Sequence, residues 1–144
     1  MQQDNNKIKG FTCGQFDLTH YGHYLMFEEC RRQCDYLIVG LQVDSSLDRF
    51  DKHKPIQNLE ERKGQLRACK WVDEIIEYGS EKDLYHLLEN LYNKNKIDIR
   101  FMGEDWKDKP NYSRDLLPQI KVIYNSRKHN YSTTNLIKRI CETI

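Results

Sequence analysis

Nothing in this 144-residue chain approaches the roughly 20 consecutive apolar residues that a membrane helix needs. The opening MQQDNNKIK likewise lacks the apolar core of a signal peptide, so a cytoplasmic protein without membrane contacts is expected. No CxxC pair occurs among the five cysteines, Cys13, Cys30, Cys34, Cys69 and Cys141. An odd set without that spacing fits neither a disulfide framework nor a structural zinc site, and most of these are expected to be buried reduced thiols. Net charge is nearly absent too, with 23 Lys and Arg against 22 Asp and Glu. No whole-molecule basic field then favours nucleic acid as a partner, and any anion site must be local. Internal repeats and low-complexity linkers are also missing.

What is there suffices for one folded domain. Charged residues make up 31% and hydrophobic residues 38%, a balance that suits a compact core under a polar surface. A polar tail over residues 1–7 precedes a single domain over 8–144. Ile8 to Cys13 (IKGFTC) reads as a first strand, and a helix follows from Tyr21 or Gly22 to Gln33. YLIVGLQV, Tyr36 to Val43, is nearly continuously apolar, as expected of a strand buried on both faces of a parallel sheet. Asp44 to Gln57 is charged, aperiodic and contains Pro55, which predicts a long functional loop with one short helical turn. Asn58 with Glu61 spells a capping box for a helix through about Lys70, and Asp73 to Tyr78 forms a short strand. Ser80 with Asp83 opens the next helix, whose Leu84, Leu87, Leu88 and Leu91 make one stripe. Ile97 to Gly103 and Ile120 to Tyr124 complete the strands. A last helix from Ser132 or Thr133 carries Leu136, Ile137, Ile140, Cys141 and Ile144 along one side.

Five strands alternating with helices predict a Rossmann-like three-layer α/β fold, with a five-stranded parallel sheet flanked by helices. Ligands of such sheets collect beyond the carboxyl ends of the strands, where strand order switches. The junctions to inspect are therefore CGQFDLTHYGH, the loop from Asp44 to Gln57, Gly103 to Pro110, and Asn125 to Thr134.

GQFDLTHYGH, Gly14 to His23, is the densest of these. A glycine at a strand end permits close approach of a ligand, and a helix N-terminus offers unpaired N–H groups to an anion. His20 and His23, three apart on the first turn, can face one point and each donate to a phosphoryl oxygen, with Gly22 leaving the approach open. Ordinary core or surface histidines, and zinc ligation through His-x-x-His, are the alternatives. No cysteine or acidic ligand stands at a spacing that completes a zinc site.

The same stretch resembles the G-[TV]-F-D-x-x-H-x-G-H signature of the nucleotidyltransferase superfamily that includes glycerol-3-phosphate and other small-substrate cytidylyltransferases. Gln15 replaces the usual Thr or Val. CDYLIVGLQVD is similar to the family's second strand, KPIQNLEER to its lysine loop and following helix start, WVDEII to its third strand. MGEDW resembles its fourth junction, and STTNLIKRI its last helix, so the likeness covers nearly the whole chain from Ile8. One departure stands out. Glycerol-3-phosphate enzymes have R-T-E-G-[IV]-S-T before the last helix, where this chain has Arg127-Lys128-His129-Asn130-Tyr131-Ser132-Thr133. The STTN ending is shared with adenylyltransferases of heptose activation, whereas MGEDW favours the cytidylyl side.

The resemblance implies that a substrate phosphate attacks the α-phosphorus of CTP, giving a CDP-linked product and pyrophosphate. Glycerol 3-phosphate is the favoured co-substrate. An adenylyltransferase acting on a sugar phosphate and a non-catalytic nucleotide-binding member are the other readings. His20 and His23 would donate to phosphates, with His23 on the α-phosphoryl group. Lys54, with Lys52 as second candidate, would close over the triphosphate, and Arg127 would hold the β- or γ-phosphate. Gly14, Gln15, Phe16, Asp17, Gly22, Gly103, Asp105, Ser132 and Thr133 are implied to form the nucleotide site. Arg62, by its planar fork, and Trp106 are assigned to the phosphorylated substrate, with a helix salt bridge as the lesser alternative for Arg62 and core filling equally open for Trp106. Mg²⁺ is expected with the triphosphate, held mainly by phosphates and water, with Asp17 or Asp105 as candidate carboxylates. The likeness also implies a homodimer.

Overall fold

The structure, a computed structural model, describes residues 7–47 and 54–144. Lys52 and the middle of the Asp44 to Gln57 loop lie outside the described residues. The strands are β1 (Lys9–Gly14), β2 (Tyr36–Gln42), β3 (Glu74–Tyr78), β4 (Ile99–Gly103) and β5 (Lys121–Asn125). All are parallel and stand in the order β3-β2-β1-β4-β5. The chain runs outward from β1 to β3, then returns to pair β4 on the other side of β1. Strand order therefore reverses between β1 and β4, and their carboxyl ends at Gly14 and Gly103 border the crevice where such folds bind ligands.

The helices are α1 (Tyr21–Arg31), α2 (Leu59–Arg67), α3 (Glu81–Asn93), a single turn α4 (Tyr112–Asp115) and α5 (Thr133–Thr143). Their starts follow the sequence closely. Asn58 Oδ1 accepts from Glu61 N–H at 2.8 Å while Glu61 accepts from Asn58 N–H at 3.1 Å, and Ser80 with Asp83 forms the same reciprocal cap. The doubly buried β2 is also as expected. Leu37, Val39 and Leu41 pack with Phe27, Leu66 and Phe101 on one face, while Ile38 joins Phe11, Leu84 and Leu88 on the other. Cys30, Cys34 and Cys69 are buried free thiols, but Cys141 is exposed. Among the described residues no helix is long and apolar enough to cross a membrane.

Gly40 shows how tightly these layers meet. A Cβ there would stand 2.7 Å from Phe11 Cζ and 3.1 Å from Cys13 Cβ. Gly40→Ala is expected to destabilise the domain by about 1–3 kcal/mol through overpacking, read from urea denaturation.

Candidate active site

The turn between β1 and α1 is strained, and long-range contacts hold it. Phe16 and Leu18 both have positive φ, 50° and 51°, a conformation that side-chain-bearing residues seldom adopt. The segment entering α2 clamps the turn. Asp17 Oδ2 and Oδ1 accept from Ile56 N–H at 2.7 Å and Gln57 N–H at 2.9 Å, and Gln57 Oε1 accepts from Leu18 N–H at 2.9 Å. Thr133 Oγ1 donates to Asp17 O at 3.3 Å, which ties the start of α5 to the same turn.

This turn delivers His20 to the N-cap of α1 and His23 to its first turn, their ring centroids 4.0 Å apart. The pair builds its own capping box. Gly22 N–H donates to His20 Nδ1 at 3.0 Å, and His20 N–H donates to His23 Nδ1 at 3.2 Å. An imidazole nitrogen that accepts carries no proton, so each neutral ring bears its hydrogen on Nε2. Both rings thus offer an Nε2–H donor at a helix end that already favours anions.

Burial keeps them neutral. His23 is pushed down to about 3, first by desolvation and then by His20, Arg127 and His129 nearby. His20 is also lowered, by burial and by His129. Between about pH 3 and 6.5 the unfolded chain then binds a proton at His23 that the folded chain does not. Stability is therefore expected to rise with pH across that window. His23→Gln should flatten this part of the curve in urea titrations at several pH values.

Gly22 is needed for packing rather than for an open approach. A Cβ there would meet His20 Cε1 and Tyr131 Cβ at 2.8 Å and His129 Cε1 at 2.9 Å, so the chain's own segment before α5 covers it. Gly22→Ala is expected to push this segment away and lower any turnover at this site more than tenfold, since a reaction between bound groups depends on their positioning. Steady-state kinetics on a variant that still melts cooperatively would check this.

On the β4 side, Arg127 Nε lies 3.4 Å from Asp105 Oδ1, with both side chains substantially exposed. Both crowd the bare face of Gly103, where a Cβ would stand 3.1 Å from Arg127 Nε. Such an exposed pair is worth only about 0–1 kcal/mol, so Arg127 can exchange Asp105 for a phosphate at little cost. Ser132 caps α5 by accepting from Asn135 N–H at 3.0 Å.

Several assignments made from the sequence change. Arg62 is 1% exposed, and its fork is taken up by main-chain carbonyls. Nε donates to Gln57 O at 3.1 Å, Nη1 to Gln15 O at 2.9 Å and Gln42 O at 2.7 Å, and Nη2 to Val43 O at 2.6 Å. It braces the ends of β1 and β2 against the entry to α2 and has no face for a substrate phosphate. Gln15 also braces: its Oε1 accepts from Ser45 N–H at 2.8 Å and from the Ser45 hydroxyl. Phe16 is buried, lying edge-on to His23 at 5.6 Å and beside Gly14 and Phe27, so it supports the histidine rather than lining an open site. Asp17 is committed to the loop clamp described above. Trp106 is half-buried, and its carbonyl accepts from Arg114 Nη1 at 2.6 Å. Lys54 is exposed where the described chain resumes.

The sequence model of the family described as Cytidylyltransferase-like matches residues 11–140. The chain is 33% identical over 132 residues to the glycerol-3-phosphate cytidylyltransferase of Bacillus subtilis, covering 92% of this chain and 96% of that one. It is 31% identical over 145 residues to the ethanolamine-phosphate cytidylyltransferase of Dictyostelium discoideum, spanning 39% of that protein. Among solved structures, a lipopolysaccharide core biosynthesis protein from Thermoplasma volcanium superposes with a TM-score of 0.62 at 26% identity. That match covers 88% of this chain and 99% of the other.

Proposed function

Because the chain belongs to the cytidylyltransferase-like family of nucleotidyltransferases, we propose that it transfers CMP from CTP to a small phosphorylated alcohol, glycerol 3-phosphate being favoured. The products are a CDP-linked alcohol and pyrophosphate. One observation carries this reading: two neutral imidazoles, oriented through Nδ1, present paired Nε2–H donors at the N-terminus of α1 beside the switch point.

In this reaction an oxygen of the substrate phosphate forms a bond to the α-phosphorus as the bond to the bridging oxygen of pyrophosphate breaks. A phosphate monoester has its second pKa near ~6 and is mostly dianionic at neutral pH, so no base has to remove a proton. The protein positions the reactants and stabilises charge on the transferring group. His23 donates to the α-phosphoryl oxygen and His20 beside it. Arg127 leaves Asp105 for the β- or γ-phosphate, and the first N–H groups of α5 with the Ser132 hydroxyl add donors, while the Thr133 hydroxyl stays tied to Asp17 O. Lys54 closes over the triphosphate. Arg62, Gln15, Asp17 and Phe16 act through the shape of the turn.

No group of three His, Cys, Asp or Glu among the described residues could hold a metal ion. Mg²⁺ would be held mainly by phosphate oxygens and water, with Asp105 as the candidate carboxylate, and would neutralise the charge of the triphosphate and pyrophosphate. A cytoplasmic homodimer completes the proposal. What supports the dimer is α5, where no residue is buried and Ile140 is 46% exposed.

Pyrophosphate release, measured with CTP and with ATP against glycerol 3-phosphate, ethanolamine phosphate and several sugar phosphates, tests the reading. Release with CTP and glycerol 3-phosphate at the highest kcat/KM is expected. Preference for ATP with a sugar phosphate would overturn the cytidylyl assignment, and no release with any pair would overturn catalysis itself.

A further inference from the structure

The segment that covers Gly22 carries a histidine to which the reaction above gives no task. His129 Cε1 would stand 2.9 Å from a Cβ on Gly22, next to His20 Cε1 at 2.8 Å, so two imidazoles meet over the first turn of α1. Tyr131 N–H donates to His129 Nδ1 at 3.2 Å. This repeats the device already seen at His20 and His23, where a main-chain N–H occupies Nδ1. With Nδ1 accepting, His129 is left with its ring hydrogen on Nε2 and is a third donor of the same kind.

A cavity of about 590 Å³ adjoins this donor, bounded by His20, Lys128, His129, Asn135 and Arg139 among others. It is roomy enough for a chain of phosphates, and two of its walls are cations. His23 is the most desolvated, His129 is half-buried and Lys128 is exposed. The deepest ring suits the phosphorus undergoing attack, and the outer rings suit the phosphates that leave. In the signature that the chain otherwise resembles, the position of His129 belongs to a glutamate, which can only accept hydrogen bonds when ionised.

We propose that His129 is a further binding residue, a third imidazole donor that holds the pyrophosphate end of the nucleotide beside His20. The proposal rests on reading α1 as the landing site of a nucleoside triphosphate. Isothermal titration with inorganic tripolyphosphate, and separately with CMP, on the wild type, H129A, H129F and H129Q tests it. H129F keeps the ring's bulk over Gly22 without its donor, whereas H129Q keeps a donor at the position of Nε2.

Loss of the donor in H129A and H129F is expected to weaken tripolyphosphate binding about tenfold or more, while H129Q retains most of it. CMP binding should change less than twofold in all three, because CMP has no distal phosphates. Unchanged tripolyphosphate affinity in H129F, or an equal loss of CMP affinity, would overturn the proposal and leave His129 a packing residue. Absence of pyrophosphate release by the wild type would overturn the reaction assigned above, while the tripolyphosphate titration would still decide the role of His129.

Discussion

Replacing His23 with alanine is expected to lower kcat by about 10²–10³-fold, the usual effect of removing one preorganised donor from a developing charge. The ring lies deepest in the pair, is held neutral, and has Nδ1 occupied by His20 N–H. Its Nε2–H therefore needs no reorganisation when charge builds on the α-phosphoryl group. The KM for CTP should change little, since the interaction is strongest in the transition state. Because His23 also completes the cap of α1, a modest loss of stability of about 1 kcal/mol is expected alongside. The acid limb of kcat/KM should follow the second ionisation of the substrate phosphate near ~6 rather than a histidine. A His23→Ala enzyme with kcat within a few-fold of wild type would remove this residue from the chemistry.

Arg62→Lys is expected to be strongly destabilising although it conserves the charge. Four carbonyls, from Gln15, Gln42, Val43 and Gln57, converge on one planar fork that is 1% exposed. An ammonium group is a point donor with three hydrogens and cannot span that set. Each buried acceptor left unpaired costs about 1–3 kcal/mol, so a total of roughly 3 kcal/mol or more is expected. For a domain of this size that corresponds to a fall in Tm on the order of 10 °C, measurable by calorimetry. A variant with wild-type Tm and a raised KM for the phosphorylated substrate would contradict this assignment and restore Arg62 to the ligand.

The contrast between these two residues shows where sequence reading succeeds. His20 and His23 are one turn apart, so their meeting follows from helix geometry alone, as do the caps at Asn58 and Ser80. The doubly buried β2 is legible for the same reason, since its apolar run is local. Arg62 shows a fork in the sequence but not its targets, which arrive from the ends of two strands and from the α2 entry. Gln15, the departure from the usual Thr or Val, makes sense only once Ser45 stands beside it after β2. Gly22 reads as clearance for a ligand until the fold lays Tyr131 and His129 against it. The single turn α4 is too short to show a helical period.

The proposed chemistry turns on His20 and His23 being neutral Nε2–H donors, and long-range ¹H–¹⁵N correlation spectra of the histidine rings test this most directly. For both His20 and His23 at neutral pH, Nδ1 should be unprotonated and Nε2 protonated, and His23 should stay so on acidification to pH 5. A His23 ring that titrates near 6.5, or that carries its proton on Nδ1, would contradict the account.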